Sequence, residues 1–191
     1  MEAILESIKS GTIRNAKPCI VISDKPETAG LKVASEKYRM PTEIIPSNGL
    51  KGWHYDQNVA TTLHEHGVSP GSGLVCLAGF MRIMSPEFVR HYRMQIMNIH
   101  PALLPAFPGL HAQKQALDYG VKVTGCTVHF VDEGMDSGPI ILQKAVPIIE
   151  GDDEESLSER ILEQEHELYP EAVRMFCEGR VKIDGRRVSI F

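Results

Sequence analysis

Residues 74–100 read LVCLAGFMRIMSPEFVRHYRMQIMNIH, and this stretch decides the predicted fold. Leu74–Ala78 is apolar on both faces, so we expect a fully buried central strand there. A short helix around Ser85–His91 follows, and a second strand, Gln95–Asn98, delivers His100 just beyond its carboxyl end. Strand, helix and strand in this order are typical of a parallel sheet, in which residues at the carboxyl ends of strands are candidates for chemistry.

The same alternation precedes this stretch. Two short β-branched runs, Cys19–Ile22 and Glu43–Ile45, are predicted strands, and each is followed by a predicted helix, Ala29–Tyr38 and Trp53–His66. The chain opens on a further helical pattern at Met1–Lys9. We therefore predict an α/β fold, an open, mainly parallel twisted sheet flanked by helices.

A proline-rich loop and two long strands follow. Pro101–Gly109 contains three prolines, which exclude a regular helix or a central strand and predict a rigid loop. Gln113–Tyr119 is a predicted helix. Val123–Val131 and Ile140–Val146 are predicted strands, joined by the acidic, glycine-containing loop Asp132–Pro139.

The last part of the chain predicts a long helix and a hairpin. Ser156–Glu159 fits the Ser-x-x-Glu capping box, and the acidic run Asp152–Glu155 suits a helix N-terminus. We expect the helix to continue to about Phe176. Val181–Phe191, with Asp184-Gly185 at its centre, predicts a closing β-hairpin.

Composition excludes several classes of protein. A chain of 191 residues suits one domain, 1–191, and its net charge of −5 with pI near 5.9 provides no basic surface for nucleic acid. No apolar run is long enough for a membrane span and no leader pattern is present, so we expect a cytoplasmic protein. The four cysteines are far apart, which favours reduced thiols over a zinc site.

Three polar residues are candidates for catalysis. Asn98 and His100 alternate along one strand end, so both side chains should point to the same side. An amide and a protonated imidazole aimed at one carbonyl oxygen can stabilise an oxyanion, and a nearby Asp136 carboxylate would favour the protonated ring and pass a proton through water. The alternative is that His100 caps a strand and Asp136 makes a loop turn.

Three longer segments carry a resemblance. They read LAGFMRI at 77–83, NIHPALLP at 98–105 and DSGPII at 136–141, and they resemble the folate-dependent formyltransferases. The best fit is to the glycinamide ribonucleotide formyltransferase family. The similarity continues through FPGLH at 107–111 and Thr124–Val131 and covers nearly the whole chain.

The resemblance implies an activity and a catalytic set. Members of this family move the formyl group of 10-formyltetrahydrofolate onto the amine of glycinamide ribonucleotide, a step of purine synthesis that needs no metal. The family's catalytic asparagine, histidine and aspartate fall on Asn98, His100 and Asp136. The implied partners are these two small molecules, with neither nucleic acid nor membrane.

The resemblance also implies binding residues. Glu165 matches the family glutamate that holds the ribose hydroxyls, and His111 is expected to steady the catalytic aspartate. The folate site of the family maps to two segments of this chain: Met81, Arg82, Ile83 and Met84, and Asp132, Glu133, Gly134, Met135 and Asp136.

The chain departs from the family pattern at its start. Family members open with a hydrophobic strand and a Gly-x-Gly-Ser-Asn turn that holds phosphate through backbone N–H groups, whereas this chain begins in the helix that follows. Either the chain is part of a longer protein, or it is a short form with weakened substrate binding. Each buried unpaired backbone group costs about 1–3 kcal/mol, which favours the first explanation. The short chain alone is therefore expected to be a poor enzyme.

Three other functions compete with the transferase. Formyltetrahydrofolate deformylase uses a very similar triad with water in place of the amine, whereas methionyl-tRNA formyltransferase needs an extra domain that this chain has no room for. A non-catalytic folate-binding relative is the third. Sequence predicts no partner for His129 and no metal site at His64 and His66, and it leaves the oligomeric state open.

Overall fold

The computed structural model describes residues 1–191 and contains six helices and eight strands. The helices are α1 (Glu2–Lys9), α2 (Ala29–Tyr38), α3 (Trp53–Glu65), α4 (Pro86–His91), α5 (Ala112–Tyr119) and α6 (Glu154–Cys177). The strands are β1 (Val21–Ser23), β2 (Thr42–Ile44), β3 (Val75–Leu77), β4 (Ile96–His100), β5 (Val123–Phe130), β6 (Ile140–Pro147), β7 (Val181–Asp184) and β8 (Arg187–Ile190). Every predicted helix and strand is present, with ends shifted by a few residues.

The strands form three hydrogen-bonded groups. β1 and β2 pair in parallel, and the central group has the order β3-β4-β5-β6. Within it β3 and β4 are parallel, while β5 and β6 continue in antiparallel pairing, and β7 and β8 form the predicted hairpin. The predicted α/β class is confirmed: parallel pairing joins the strands that alternate with helices, and a long antiparallel hairpin extends the sheet.

The prediction of a fully buried strand at 74–78 is wrong. β3 is half-buried, because it pairs only with β4 and forms the edge of its group. β1 packs against the same apolar cluster as β3, yet the two strands are not paired. The expected upstream strand and glycine turn stay a prediction.

Apolar clusters cover both faces of the strands. On one face, side chains of α3 and α4, including Tyr55 and Phe88, pack with residues of β1 and β3. On the other face, α1 and α6 pack through Ile4 and Tyr169 against Met97 of β4 and its neighbours on β5. Helices on both faces leave the ends of the strands as the accessible region, and none of the helices combines the length and apolar character needed to cross a membrane.

Helix α6 begins earlier than the sequence pattern indicates. Its N-cap is Asp153, whose carboxylate accepts a hydrogen bond from Ser156 N at 2.9 Å, while the Ser156 hydroxyl accepts from Asp153 N at 3.1 Å. The capping box predicted at Ser156–Glu159 is therefore wrong, because the observed capping box lies one turn earlier, at Asp153 and Ser156. An Asp-x-x-Ser pair closes the same reciprocal geometry, and Glu154 and Glu155 occupy the first turn, as the acidic run predicted.

Candidate active site

Strands β4 and β5 bring four polar side chains onto one face of the sheet. Asn98 and His100 alternate along β4, and the antiparallel register pairs them with His129 and Thr127 of β5. His100, Thr127 and His129 are all buried. Since side chains alternate with a period of two, one register places all four on the same side. Asn98 and His100 therefore point to the same side of β4, as the sequence predicted.

Asp136 lies beside this group, on the loop between β5 and β6. Its Oδ2 is 3.4 Å from Nδ1 of His100, and its Oδ1 is 3.9 Å from Nε2 of His129. Gly109 N donates a hydrogen bond to Oδ2 at 2.8 Å. The Asp136 backbone is left-handed, with φ of 48°, a conformation that aspartate and asparagine tolerate better than most residues. The three residues predicted to act together are close together in the fold.

Both ring nitrogens of His100 face an acceptor. Nε2 lies 2.8 Å from the carbonyl oxygen of Phe107, and a carbonyl only accepts, so this nitrogen carries a hydrogen. Nδ1 faces the carboxylate of Asp136, which accepts when ionised. An imidazolium satisfies both neighbours with two N–H groups. The contact of Nδ1 with Asp136 is the longer of the two and is not a hydrogen bond, so Nδ1 is the nitrogen through which His100 can reach a reacting group.

The proline-rich loop after His100 is fixed by a buried hydroxyl. Thr127 Oγ1 donates to the Ala102 carbonyl at 2.7 Å and accepts from Leu104 N at 3.0 Å. Gln143 of β6 adds hydrogen bonds from Nε2 to the Leu104 carbonyl at 2.9 Å and to Thr127 Oγ1 at 3.0 Å. These contacts form a clamp of Thr127 and Gln143 on the loop. The clamp fixes the first part of the loop, which continues to Phe107 and Gly109 beside His100 and Asp136.

Sequence reasoning missed His129. Its Nε2 lies 3.3 Å from Nδ2 of Asn98, and its Nδ1 lies 2.9 Å from the carbonyl oxygen of Phe130. A usable signal was present, because Thr127 and His129 are polar positions alternating with apolar Val128 on a predicted strand. Only the pairing of β5 with β4 shows that they face Asn98 and His100.

Comparisons with known proteins show the family of this chain. Residues 1–173 match the family model described as Formyl transferase. The phosphoribosylglycinamide formyltransferase of Escherichia coli is 38% identical over 195 residues, covering 98% of this chain and 90% of the relative. The crystal structure of glycinamide ribonucleotide transformylase 1 from Symbiobacterium toebii has a TM-score of 0.92 and 46% identity, covering 100% of this chain and 87% of that chain. The chain belongs to the phosphoribosylglycinamide formyltransferase family.

Some relatives of this formyltransferase family are much longer proteins. The trifunctional purine biosynthetic protein adenosine-3 of Drosophila melanogaster is 46% identical over 170 residues, which is 88% of this chain and 12% of that protein. The chain therefore spans about an eighth of the length of this relative. A formyltetrahydrofolate deformylase from Pseudomonas syringae shares the fold, with a TM-score of 0.89 and 27% identity over 61% of that chain.

The first segment that the resemblance assigns to a folate site lies between β3 and α4. Met81 is 77% exposed and Ile83 is 74% exposed. Arg82 donates to the Leu50 carbonyl at 3.0 Å and lies over the Tyr55 ring. Met84 is only 7% exposed and packs in the core with α3 and α4. The Met84 side chain is thus turned inward just before the N-cap of α4, and a part for this segment in folate binding stays a prediction.

The second such segment, Asp132–Asp136, is ordered by its own hydrogen bonds. Asp132 Oδ1 accepts from Gly134 N at 3.0 Å and from the Ser137 hydroxyl at 2.6 Å. Glu133 pairs with Arg90 of α4 at 3.2 Å. Met135 is exposed. The loop therefore presents one apolar side chain and holds Asp136 in place.

Two further residues singled out in the sequence, Glu165 and His111, have different surroundings in the fold. Glu165 lies on α6, and burial raises the pKa of its carboxyl to about 7. His111 does not contact Asp136: its ring is largely exposed, and Nδ1 lies 3.7 Å from a carboxylate oxygen of Glu154. The expected support of Asp136 by His111 is wrong, because the left-handed backbone at the start of α5 directs the ring toward α6. Asp136 is held by Gly109 N instead.

Proposed function

We propose that this chain transfers the formyl group of 10-formyltetrahydrofolate to the amine of glycinamide ribonucleotide. The observation that carries the proposal is the group of Asn98, buried His100 and Asp136, assembled by β4 and the β5–β6 loop. Family membership supports the choice of reaction, since relatives named for this activity are similar over nearly the full chain.

Asn98 and His100 stabilise the oxyanion in this proposal. Direct attack of the amine on the formyl carbon places negative charge on the formyl oxygen. The Asn98 amide N–H and the Nδ1–H of His100 are donors on one face of β4, so both can be directed at that oxygen. Because the donors are held before the reaction, little reorganisation is needed as charge develops.

Asp136 serves two functions in this scheme. As a carboxylate 3.4 Å from Nδ1, it stabilises the imidazolium of His100. Its second oxygen is free to accept the proton that the amine loses on attack, through water, and to return it to the folate nitrogen that departs. The hydrogen bond from Gly109 N fixes the carboxylate for both functions.

We assign binding of the two substrates to residues around Asn98, His100 and Asp136. Met81, Ile83 and Met135 are exposed apolar side chains on the two loops that follow β3 and β5, and they fit a flat aromatic ring system such as a pterin. Glu165 of α6 is assigned to the ribose hydroxyls as a hydrogen-bond acceptor. Arg82 and Glu133 hold the two loops through their contacts with Leu50 and Arg90.

The test is release of tetrahydrofolate from 10-formyltetrahydrofolate, measured with and without glycinamide ribonucleotide. Release that requires the amine supports the transferase. Release at the same rate without amine identifies a deformylase and contradicts the proposal. Binding of the folate with no release in either mixture identifies a non-catalytic folate-binding protein. The Asn98→Ala variant is the matched control, because it keeps the loops and removes one proposed donor.

A further inference from the structure

We propose that His129 is a positioning residue that fixes the rotation of the Asn98 carboxamide, so that its N–H, and not its carbonyl, faces the reacting oxygen. The inference rests on the proposed function for its catalytic consequence. Its structural part concerns the protein alone: a backbone carbonyl selects the tautomer of a buried histidine, and that tautomer selects the orientation of a neighbouring amide.

The first step is the tautomer of His129. Its Nδ1 lies 2.9 Å from the carbonyl oxygen of Phe130. A carbonyl oxygen has only lone pairs to offer, so Nδ1 carries the hydrogen. In a neutral imidazole the other nitrogen is then an acceptor. The contact with Phe130 O therefore leaves Nε2 of His129 unprotonated, with its lone pair directed toward β4.

The second step is the amide of Asn98. Its Nδ2 lies 3.3 Å from Nε2 of His129, and this is the only hydrogen bond of the Asn98 side chain within the protein. An amide nitrogen only donates, so donor and acceptor match in this orientation. If the amide were turned over, its oxygen would face the imidazole lone pair. With His129 only 2% exposed, water would not relieve that repulsion.

The third step is the second hydrogen of Nδ2. One hydrogen of the amide nitrogen is used by His129, and the other remains for a ligand on the open side of β4. The proposed oxyanion requires a donor at that place. Without a partner, the Asn98 amide could direct either its oxygen or its nitrogen at the substrate. The contact with His129 excludes the orientation with the oxygen toward the substrate before the substrate binds.

The charge state of His129 must be neutral for this function. The charged and titratable groups facing the ring are Asp136, His100 and Asp132. The carboxylates favour the protonated ring and His100 opposes it, but burial outweighs them and lowers the pKa of His129 below its ordinary value. A protonated His129 would direct a second N–H at the Asn98 nitrogen, which has no lone pair to accept it.

The tautomer can be tested on the ligand-free protein. Nitrogen-15 NMR of the histidine rings should show Nδ1 of His129 protonated and Nε2 unprotonated near neutral pH. One of the two side-chain amide hydrogens of Asn98 should be protected from exchange, and His129→Leu should remove that protection. A protonated Nε2, or protection unchanged in His129→Leu, overturns the inference whether or not the protein is an active transferase.

The catalytic consequence is tested by a double-mutant cycle in the folate assay. We expect His129→Leu to lower kcat by roughly 10-fold or more with KM little changed, and to have no further effect in an Asn98→Ala background. His129→Gln, which can place an amide oxygen near the Nε2 position, should recover part of the loss. Equal losses in both backgrounds would show a merely structural role and overturn the proposal, and melting temperatures of all variants identify misfolding.

Discussion

At the scale of single residues, the site is defined by which hydrogens its side chains carry. His100 has one ring nitrogen fixed on Phe107 O and the other directed at Asp136, while His129 has one fixed on Phe130 O and the other directed at Asn98. Two buried histidines on neighbouring strands therefore have different surroundings. His100 faces an acceptor at both ring nitrogens, whereas His129 faces an acceptor at Nδ1 and the Asn98 amide nitrogen at Nε2.

His100→Ala is expected to reduce turnover far more than it weakens substrate binding. The imidazole is proposed to act on charge that develops only in the transition state, so its removal should lower kcat by roughly 100-fold or more. Steady-state kinetics gives kcat and KM separately, and circular dichroism checks the fold. A folded variant with near-normal kcat would remove His100 from the oxyanion site.

Asp136→Asn is expected to lower the rate and to change its dependence on pH. Asparagine tolerates the left-handed backbone at this position and can still accept from Gly109 N, so the loop should keep its shape. What is lost is the charge beside His100 and the proposed proton acceptor. Rates are to be measured across the pH range for both proteins. An unchanged rate with an unchanged profile would show that Asp136 has no part in the mechanism.

At the scale of elements, local patterns predict more than contacts between elements do. The helix Ala29–Tyr38 and the hairpin at Val181–Phe191 were predicted because their apolar spacing and turn residues lie within a short window. The half-buried state of β3 and the pairing of His129 with Asn98 depend on which strands become neighbours. Spacing along one strand does not contain that information. Asn98, His100 and Asp136 were candidates from their positions along the chain and from the resemblance, whereas the contacts that hold them in place depend on the fold.

Two adjacent positions of β5 are expected to respond in opposite directions. Thr124 is buried and its hydroxyl has no hydrogen-bond partner, so Thr124→Val should raise stability by about 1 kcal/mol. A Cβ at Gly125 would contact the Lys144 backbone oxygen on β6 and lie 2.9 Å from a methyl of Leu103, so Gly125→Ala should destabilise by roughly 1–3 kcal/mol.

The measurement for this pair is urea unfolding, followed by circular dichroism, for the parent and both variants. Each variant serves as the control for the other, since both change one residue of the same strand. Loss of stability in Thr124→Val would show that the hydroxyl has a partner in solution. A neutral Gly125→Ala would show that β5 and β6 can separate at this point.

At the scale of the whole molecule, Glu165 makes stability depend on pH. Burial raises the pKa of its carboxyl from 4.5 to about 7, so the folded state holds this proton more tightly than the unfolded chain does. The contribution of Glu165 to the free energy of unfolding is therefore most favourable below about pH 4.5, and it is lost as the pH rises to about 7. Above that range the charge on this partly buried carboxylate is a constant cost to the folded protein.

Glu165→Gln should therefore raise the melting temperature of the ligand-free protein at pH 8 and change it little at pH 4.5. Glu163→Gln is the matched control, because Glu163 lies on the same helix and is exposed. Melting curves of the three proteins at both pH values provide the comparison. Equal shifts at the two pH values, or the same shift in Glu163→Gln, would contradict a buried ionised carboxylate at Glu165.

The cross-strand pairing of β4 with β5 also determines which length changes the gene could tolerate. Deleting one residue within β5 would reverse the parity of the strand, so that Thr127 and His129 would turn to the helix side and Val128 would turn toward Asn98. Insertions in the turn after α5 leave that parity intact. The arrangement of side chains on β4 and β5 therefore tolerates added residues in the turn after α5, but not a single-codon deletion inside either strand.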